Sequence, residues 1–578
     1  MAVAQYISER RLIIASADDP QELRYASGII GATRVGGDNR SWTFPACRDS
    51  CEGLKRMHIP FTNTLQLFSD RQDKVHRYVD AMKTRPTVEP LKPIPIKAGY
   101  NLFMHQVRAY NIGLALPNAA LLMDMGTGKT LSTIMIMGRR YLDGKIKRVL
   151  IVAPASVCNV WKTEIAKFGE FDSRVALLLG DHQSRVRALK WLQAPTIRGG
   201  DPLRVAVINY ESTWRLKSAD GRKDYLKDFD ADMIVCDESQ RIKSDSAKQS
   251  KALHVLGDAA RYKVILSGTP IQKDTRDLWS QYRFLDPTVF PMRYWSFQKR
   301  YAAMGGFNNK QYLAPRNLDE LTRKAHAIAY RVTKDECLDL PDKMFEERII
   351  PLDDKSLKLY RQVQKDSVAE LEGGGEVTAN HVLTRMLRLQ QLTGGFLRDD
   401  KGEMRQINTS KLDALCDIVE TVCLDECHKV VVFSRFLSEM NAIEERLGKL
   451  LGSDPKRPMS YVRIDGSVKS SQRGALVEKF QTDPACCVFL GEIDACAEGL
   501  TLTAAQTIVY YSVNWNYAKY DQSVSRIHRI GQTGTCTYIH LIAPMTIDVK
   551  IMKALHSKGD LAKSVVDNWR GWLTDDEE

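Results

Sequence analysis

Residues 119–142 read AALLMDMGTGKTLSTIMIMGRRYL. An apolar run, a glycine loop and a stretch with apolar residues at helical spacing give strand, loop and helix in that order. The loop is Met125-Gly126-Thr127-Gly128-Lys129-Thr130. Glycines let backbone N–H groups turn inward around phosphate oxygens, and the start of the helix adds the positive end of its dipole. Gly126, Thr127 and Gly128 are therefore the predicted cradle. Lys129 is predicted to reach the β- and γ-phosphates, and the Thr130 hydroxyl to ligate Mg2+. The generic phosphate-loop pattern has Gly at position 123, where this chain has Met. Taken alone, the loop is compatible with ATP or GTP.

Further apolar runs surround this unit. Val149–Ala153, Val205–Asn209, Met233–Cys236 and Val264–Ser267 alternate with helical patterns, and a second block repeats the arrangement at Val430–Phe433, Tyr461–Ile464, Cys487–Leu490, Thr507–Tyr511 and Tyr538–Ala543. Near-continuous Val/Ile/Leu runs are the mark of parallel strands covered by helices on both faces. The fold class predicted is α/β, with two parallel-sheet lobes. The strand ending at Cys236 runs into Asp237-Glu238. A carboxylate at the carboxyl end of a parallel strand can hold a hydrated Mg2+, and its neighbour can orient and deprotonate an attacking water. In the second block, Gln522-x3-Arg526-x2-Arg529 is spaced to share one helical face. Arginines from a second lobe can neutralise charge on a transferred phosphoryl group, which makes hydrolysis depend on lobe closure.

The 578 residues suffice for several folded units. Four segments are expected: a small N-terminal module over 1–95, a first lobe over 96–290, a helical insertion over 291–405 and a second lobe over 406–578. Lys and Arg number 83 against 71 Asp and Glu, a formal charge of +12, which permits a polyanionic partner without requiring one. No stretch approaches the roughly 20 apolar residues of a membrane helix, and the N-terminus lacks the order of a secretory signal. Most of the twelve cysteines sit singly in apolar runs, as reduced buried thiols do. Cys47-x3-Cys51 with His58, and Cys423-x3-Cys427-His428, lack the second pair that a zinc site needs. A reducing compartment without a membrane is expected, cytoplasmic in a bacterial or phage-infected cell and nuclear in a eukaryotic one.

From about residue 100 to 558 the motif order resembles the Swi/Snf group of superfamily-two helicase-like ATPases. His105-Gln106 is similar to the glutamine motif that senses adenine, which implies ATP as the nucleotide. LIVAPASVCNVWKTEIAKF (150–168) and VAVINYES (205–212) are similar to first-lobe segments that contact DNA. DESQRIKSDSAKQS (237–250) resembles the acidic box, and LSGTPIQKDTRDLWS (266–280) the segment coupling hydrolysis to lobe movement. VVVFSRF (430–436), RIDGSV (463–468), AEGLTLTAA (497–505) and QSVSRIHRIGQ (522–532) follow in the second lobe. The resemblance implies two RecA-like lobes, Mg2+-ATP and a motor on double-stranded or forked DNA, largely independent of sequence. It implies nucleotide contacts at Gln106, Gly499 and Gln522. The implied DNA contacts are Ser156, Tyr210, Ser434, Arg435, Thr501 and Trp515, and the implied coupling groups Gln240, Ser267 and Thr269. Gln240 stands where the family commonly has His, and Lys273 where it often has Asn. The run Ala497-Glu498-Gly499-Leu500-Thr501 is closer to the fork-remodelling, annealing-helicase branch than to nucleosome remodellers. Residues 20–58, with Trp42-Thr43-Phe44-Pro45, resemble the HARP module of that branch, the alternative being a small α/β adaptor. A strand-separating helicase shares most of these motifs, and a binding module with a dead nucleotide site is the third reading.

Overall fold

The structure is a computed structural model that describes residues 2–556 apart from 9–11, 38, 196–199, 219–222, 273, 307–310, 338–339, 374–378, 399–402, 453–458 and 497–499. It forms two compact units, Met1–Cys337 and Leu338–Glu578. The first opens with strands β1 (Val3–Ile7), β2 (Leu12–Ser16), β3 (Thr33–Val35) and β4 (Ser41–Pro45), an antiparallel sheet in the order β1-β2-β4-β3. Helices Arg48–Arg56 and Asn63–Thr84 follow. Ile13, Phe44, Leu54 and Leu65 form a small core of their own. Contacts that tie this module to the rest of the unit include the pairing of Lys324 with Asp49, the bond from Lys83 to the carbonyl of His326 at 2.7 Å, and the packing of Val79 and Met82 in the main core.

The main sheet of the first unit contains β5 (Asn118–Met123), β6 (Arg148–Ala153), β7 (Ser173–Leu178), β8 (Leu203–Asn209), β9 (Met233–Asp237) and β10 (Tyr262–Leu266). An antiparallel hairpin of β11 (Ala302–Gly305) and β12 (Gln311–Pro315) precedes its last strand, β13 (Ala329–Val332). All seven strands are parallel, in the order β13-β5-β10-β9-β6-β8-β7. The central β9 and β10 are buried at every position, the consequence of helices on both faces. This order puts β10 between β5 and β9. The segment after β10 therefore emerges between the glycine loop and Asp237.

In the second unit β14 (Lys343–Ile349) precedes a short hairpin of β15 (Phe396–Arg398) and β16 (Met404–Gln406). Then come β17 (Lys429–Ser434), β18 (Ser460–Ile464), β19 (Cys486–Glu492), β20 (Ala505–Tyr510) and β21 (Cys536–Ile542). These make a six-stranded parallel sheet in the order β14-β21-β20-β17-β19-β18. The strands expected from apolar runs are present in both sheets, within a residue or two. The segment 291–405 is not purely helical. Its helices, which include Tyr294–Tyr301, Leu318–Ala327, Asp354–Gly373 and Ala379–Thr393, are accompanied by the β11–β12 and β15–β16 hairpins and by an edge strand for each sheet. Edge strands carry charge because one side meets solvent, so KMFEERI (343–349) does not show the apolar run of a central strand. Among the described residues, no helix is long and apolar enough to cross a membrane.

Candidate nucleotide site and the segments around it

The glycine loop leaves β5 and enters the helix Lys129–Leu142. Gly126 and Gly128 have φ of 83° and 88°, the left-handed region that residues with a Cβ rarely occupy. At Gly128 there is a second constraint: a Cβ there would lie 2.1 Å from Gln106 Nε2. Gln106 donates to the carbonyl of Thr127 at 3.1 Å, His105 Nε2 lies 2.8 Å from the same oxygen, and the Phe103 N–H donates to Gln106 Oε1 at 3.1 Å. The predicted adenine-motif residues therefore press on the phosphate loop itself. Lys129 Nζ donates to the carbonyls of Met123 (2.9 Å) and Asp124 (3.2 Å), which holds it across the loop mouth. Thr130 is half-buried beside it. The first N–H groups of a helix have no acceptor further back in it. Loop, lysine and hydroxyl thus form a donor set that fits a nucleotide's phosphates and a Mg2+ ion.

Asp237 ends β9, buried, and Glu238 follows at φ 53°. Burial, then the adjacent Glu238, raises the Asp237 carboxyl above the usual carboxylate range, while a hydrogen bond from Trp161 and the charge of Lys129 act against the rise. Trp161 Nε1 donates to Asp237 Oδ2 at 2.9 Å, and the Tyr210 hydroxyl donates to the Asp237 carbonyl at 2.7 Å. From Glu238 a hydrogen-bonded line leads out. Gln240 Nε2 donates to Glu238 Oε2 (2.7 Å), Ser267 Oγ donates to Gln240 Oε1 (2.8 Å), and the Thr269 N–H donates to Ser267 Oγ (3.1 Å). The three residues expected to couple hydrolysis to movement are one connected chain, with Gln240 bridging carboxylate to hydroxyl. Beside it, Ser239 Oγ donates to Gln281 Oε1, and Gln281 Nε2 donates to the Pro270 carbonyl.

Sequence reasoning missed Trp161 and Arg331. Arg331, on β13, donates to Asp124 Oδ1 at 2.7 Å and to the Leu122 carbonyl at 3.0 Å, so the last strand of the sheet clamps the loop that follows β5. Nothing in the local sequence marks Arg331 as a partner of Asp124, since 207 positions separate them.

Two of the predicted DNA contacts need correcting. Tyr210 is fully buried, with its hydroxyl committed to Asp237. Ser434 is also fully buried, and its Oγ donates to Glu439 Oε2 at 2.6 Å. Tyr210 follows β8 directly and Ser434 ends β17, so both are carried into the core and neither side chain reaches a surface. Ser156 is half-buried and Thr501 exposed. Arg435 lies 4.4 Å from the Trp515 ring centre, bonds to Gln390 Oε1 at 2.9 Å, and has its guanidinium pKa lowered by burial to about 10. Glu439 also accepts from Ser512 Oγ at 2.5 Å, and burial raises its carboxyl above the usual range.

The expected single helical face over 522–529 is corrected too. The helix Tyr517–Val524 stops before either arginine. Ser523 Oγ donates to the Tyr520 carbonyl and lies 2.7 Å from the Tyr510 hydroxyl, a local bond that competes with helix continuation. Arg526 is buried and donates to the carbonyls of Gln522 (3.0 Å) and Leu500 (3.0 Å). Arg529 is more open and donates to the Leu500 carbonyl and Thr501 Oγ1, both at 2.8 Å. Gln522 is buried. Gly499 and Lys273 lie outside the described residues.

The SNF2-related domain family matches residues 74–394, more than half of the chain, and the helicase conserved C-terminal domain matches residues 410–531. The chain belongs to the SNF2-related family of helicase-like ATPases. Its two parallel sheets are the family's two RecA-like lobes, and the glycine loop and acidic pair lie in the first. A putative ATP-dependent helicase/translocase, YwqA of Bacillus subtilis, is 28% identical over 475 residues, covering 79% of this chain and 47% of that protein. The DNA repair and recombination protein RDH54 of Saccharomyces cerevisiae is 26% identical over 481 residues, covering 76% of this SNF2-related chain and 50% of the relative in strain JAY291. The chain thus spans about half the length of the curated relatives it matches. The SWI2/SNF2 ATPase core of Sulfolobus solfataricus, solved with dsDNA, is 24% identical, covers 84% of this chain and 96% of that one, and has a TM-score of 0.38.

Proposed function

We propose that this SNF2-related chain is an ATP-driven motor that moves along double-stranded or forked DNA, holding phosphates and not bases. The observation that carries the reading is the hydrogen-bonded line Glu238–Gln240–Ser267–Thr269. The line joins the proposed general base to the segment after β10, which the resemblance associates with movement of the lobes. In this reading Gly126, Thr127 and Gly128 cradle the phosphates, Gln106 links the segment expected to sense adenine to that cradle through the Thr127 carbonyl, and Lys129 exchanges its loop carbonyls for phosphate oxygens. Mg2+, when bound, neutralises charge on the transferred phosphoryl group. Thr130 and Asp237 are the residues that would hold it. Glu238 takes the proton of the attacking water, and its change of charge alters the bond from Gln240 and so the seat of Ser267 and Thr269. Arg529 is the second unit's candidate for stabilising the transferred group; Arg526, spent on two carbonyls, holds that loop in shape.

Ser156, Arg435, Thr501 and Trp515 remain the proposed DNA contacts. Phosphate contacts position a protein without reading sequence, so affinity falls steeply with salt. The names of the relatives, a helicase/translocase and a recombination protein, agree with work on DNA. The resemblance of 497–501 to annealing helicases points to forked substrates. The test compares ATP turnover with duplex, forked and single-stranded DNA and with single-stranded RNA, beside annealing of a protein-coated bubble. Stimulation by blunt duplex DNA and not by RNA is expected. Stimulation by RNA alone, or release of a strand without annealing, would favour a strand-separating helicase. Glu238→Gln should bind nucleotide and not turn over; if it turned over normally, the base would lie elsewhere.

A further inference from the structure

Two buried hydrogen bonds in the first unit converge on Asp237, and each comes from a segment that the sequence associates with DNA. The first segment contains Ser156 and then the helix Cys158–Phe168. The Cys158 thiol donates to the Pro154 carbonyl at 3.4 Å, fastening the start of this helix to the end of β6. One turn on, Trp161 is fully buried and donates to the Asp237 carboxylate. The second segment turns at Tyr210, whose carbonyl accepts from Thr213 Oγ1 at 2.7 Å and whose hydroxyl donates to the Asp237 backbone. The sheet order explains the convergence. β6 lies beside β9, β8 lies beside β6, and both loops leave at the carboxyl edge where Asp237 sits.

We infer that Trp161 and Tyr210 are positioning residues that carry the state of the DNA-facing loops of the first unit to Asp237, and carry the nucleotide state back. The inference rests on the proposed duplex-DNA motor. Its physical basis is the packing: Trp161 and Tyr210 are among the largest fully buried side chains, and close-packed interiors transmit small displacements and do not absorb them. Movement of the 154–157 loop against a phosphate displaces the helix behind it, and Trp161 moves with it. The indole donates to Oδ2 of a carboxylate that would help hold Mg2+, so a change at Trp161 turns the carboxylate. Tyr210 fixes the peptide from which that carboxylate hangs. DNA and nucleotide are thereby linked inside one lobe, apart from any contribution of lobe closure. Linkage is reciprocal, so each ligand changes the other's affinity by the same factor, usually about 5–150-fold in coupled systems.

The experiment needs no turnover. The Kd of a fluorescent duplex is measured by anisotropy with and without a non-hydrolysable ATP analogue and Mg2+, for the natural protein, Trp161→Phe, Tyr210→Phe and the double variant. Nucleotide affinity without DNA and thermal stability are measured alongside. The natural protein should show a ratio of at least about fivefold between the two Kd values. Each single variant should reduce that ratio at least threefold, with the nucleotide-free Kd within twofold of natural. Tyr210→Phe removes one oxygen from a buried ring, so it keeps the test available if Trp161→Phe does not fold. Unchanged ratios in the variants, beside a clear ratio in the natural protein, overturn the inference and leave the motor reading intact. So does an equal loss of nucleotide affinity with and without DNA, the sign of a purely local role. A natural protein that does not bind duplex DNA overturns the motor reading itself.

Discussion

Gly128→Ala tests the nucleotide site through its tightest contact. Two penalties can be worked out from the structure. At φ 88° the new Cβ sits in the left-handed region, which costs a residue with a side chain about 1–2 kcal/mol. The Cβ also lies 2.1 Å from Gln106 Nε2 and 3.0 Å from its Cδ, so the glutamine must swing away. It then gives up its bond to the Thr127 carbonyl and its cap on the Phe103 N–H, at about 1 kcal/mol each. Together these reach about 3–4 kcal/mol, and at 1.36 kcal/mol per tenfold change the loss in nucleotide affinity is on the order of several hundredfold if the loop alone carries it. The Gln106→Ala background separates the two parts. With the amide already gone, Gly128→Ala should cost only the backbone term, about tenfold, and the double-mutant cycle should show a coupling of about 2 kcal/mol. A fluorescent ATP analogue titrated into the four proteins measures all of this. If the two changes were additive within about 0.5 kcal/mol, Gln106 would not be the neighbour that makes glycine necessary at 128.

Other substitutions separate roles that adjacent residues would otherwise share. Gln240→Ala should retain nucleotide binding and lose most DNA stimulation of turnover, because it cuts the line between Glu238 and Ser267; stimulation at the natural level would mean that the line is not used. Arg526→Ala leaves buried carbonyls short of a donor and should destabilise the protein by about 2–3 kcal/mol, read as a lower Tm, whereas Arg529→Ala should cost under about 1 kcal/mol and abolish turnover. Glu439 gives a dependence on pH. Its folded-state pKa is raised by burial, so as pH rises above the unfolded value of about 4.3 the unfolded chain releases the proton first and folding stability falls. Glu439→Gln lacks that titration. Its Tm should therefore gain on the natural protein's as pH rises from about 4.3, and a constant difference would remove the raised carboxyl.

The parts of this chain that are legible in sequence share one property: they lie in single runs with their context attached. Strand β5, its glycine loop and the helix behind it are contiguous, and so are β9 and its acidic pair. Parallel central strands have no polar face to hide, so their apolar runs stand out. What sequence did not show depends on contacts made across the sheet. Arg331 meets Asp124 only because β13 pairs with β5, and β13 is four residues long. The motif that contains Tyr210 was legible while the direction of its side chain was not: one residue past β8, the chain turns and sends the ring inward. Ser434 is subject to the same rule at the end of β17. The helix that contains Gln522 ends at Val524, before Arg526, which residue spacing alone does not reveal.

These misreadings have a common consequence for mechanism. From sequence, residues at the carboxyl ends of β6 and β8 are assigned to DNA, the acidic pair after β9 to ATP, and Gln240, Ser267 and Thr269 to the coupling between hydrolysis and movement. Their side chains do not keep to that division. Tyr210 belongs to a segment that the sequence resemblance assigns to DNA, and it holds Asp237; Gln240 belongs to the acidic box and holds Ser267, on the loop after β10. A packed edge with hydrogen bonds in both directions has few independent movements, because a displaced donor leaves a buried acceptor unpaired at about 1–3 kcal/mol. The edge therefore favours a small number of complete bonding patterns over a continuum of partial ones. In the proposed motor, a change of one charge at Glu238 would have a discrete answer at Thr269, and a change at the 154–157 loop would have one at Asp237. Substitutions that remove a single bond from this edge should alter the coupling between ligands more than the affinity for either ligand alone.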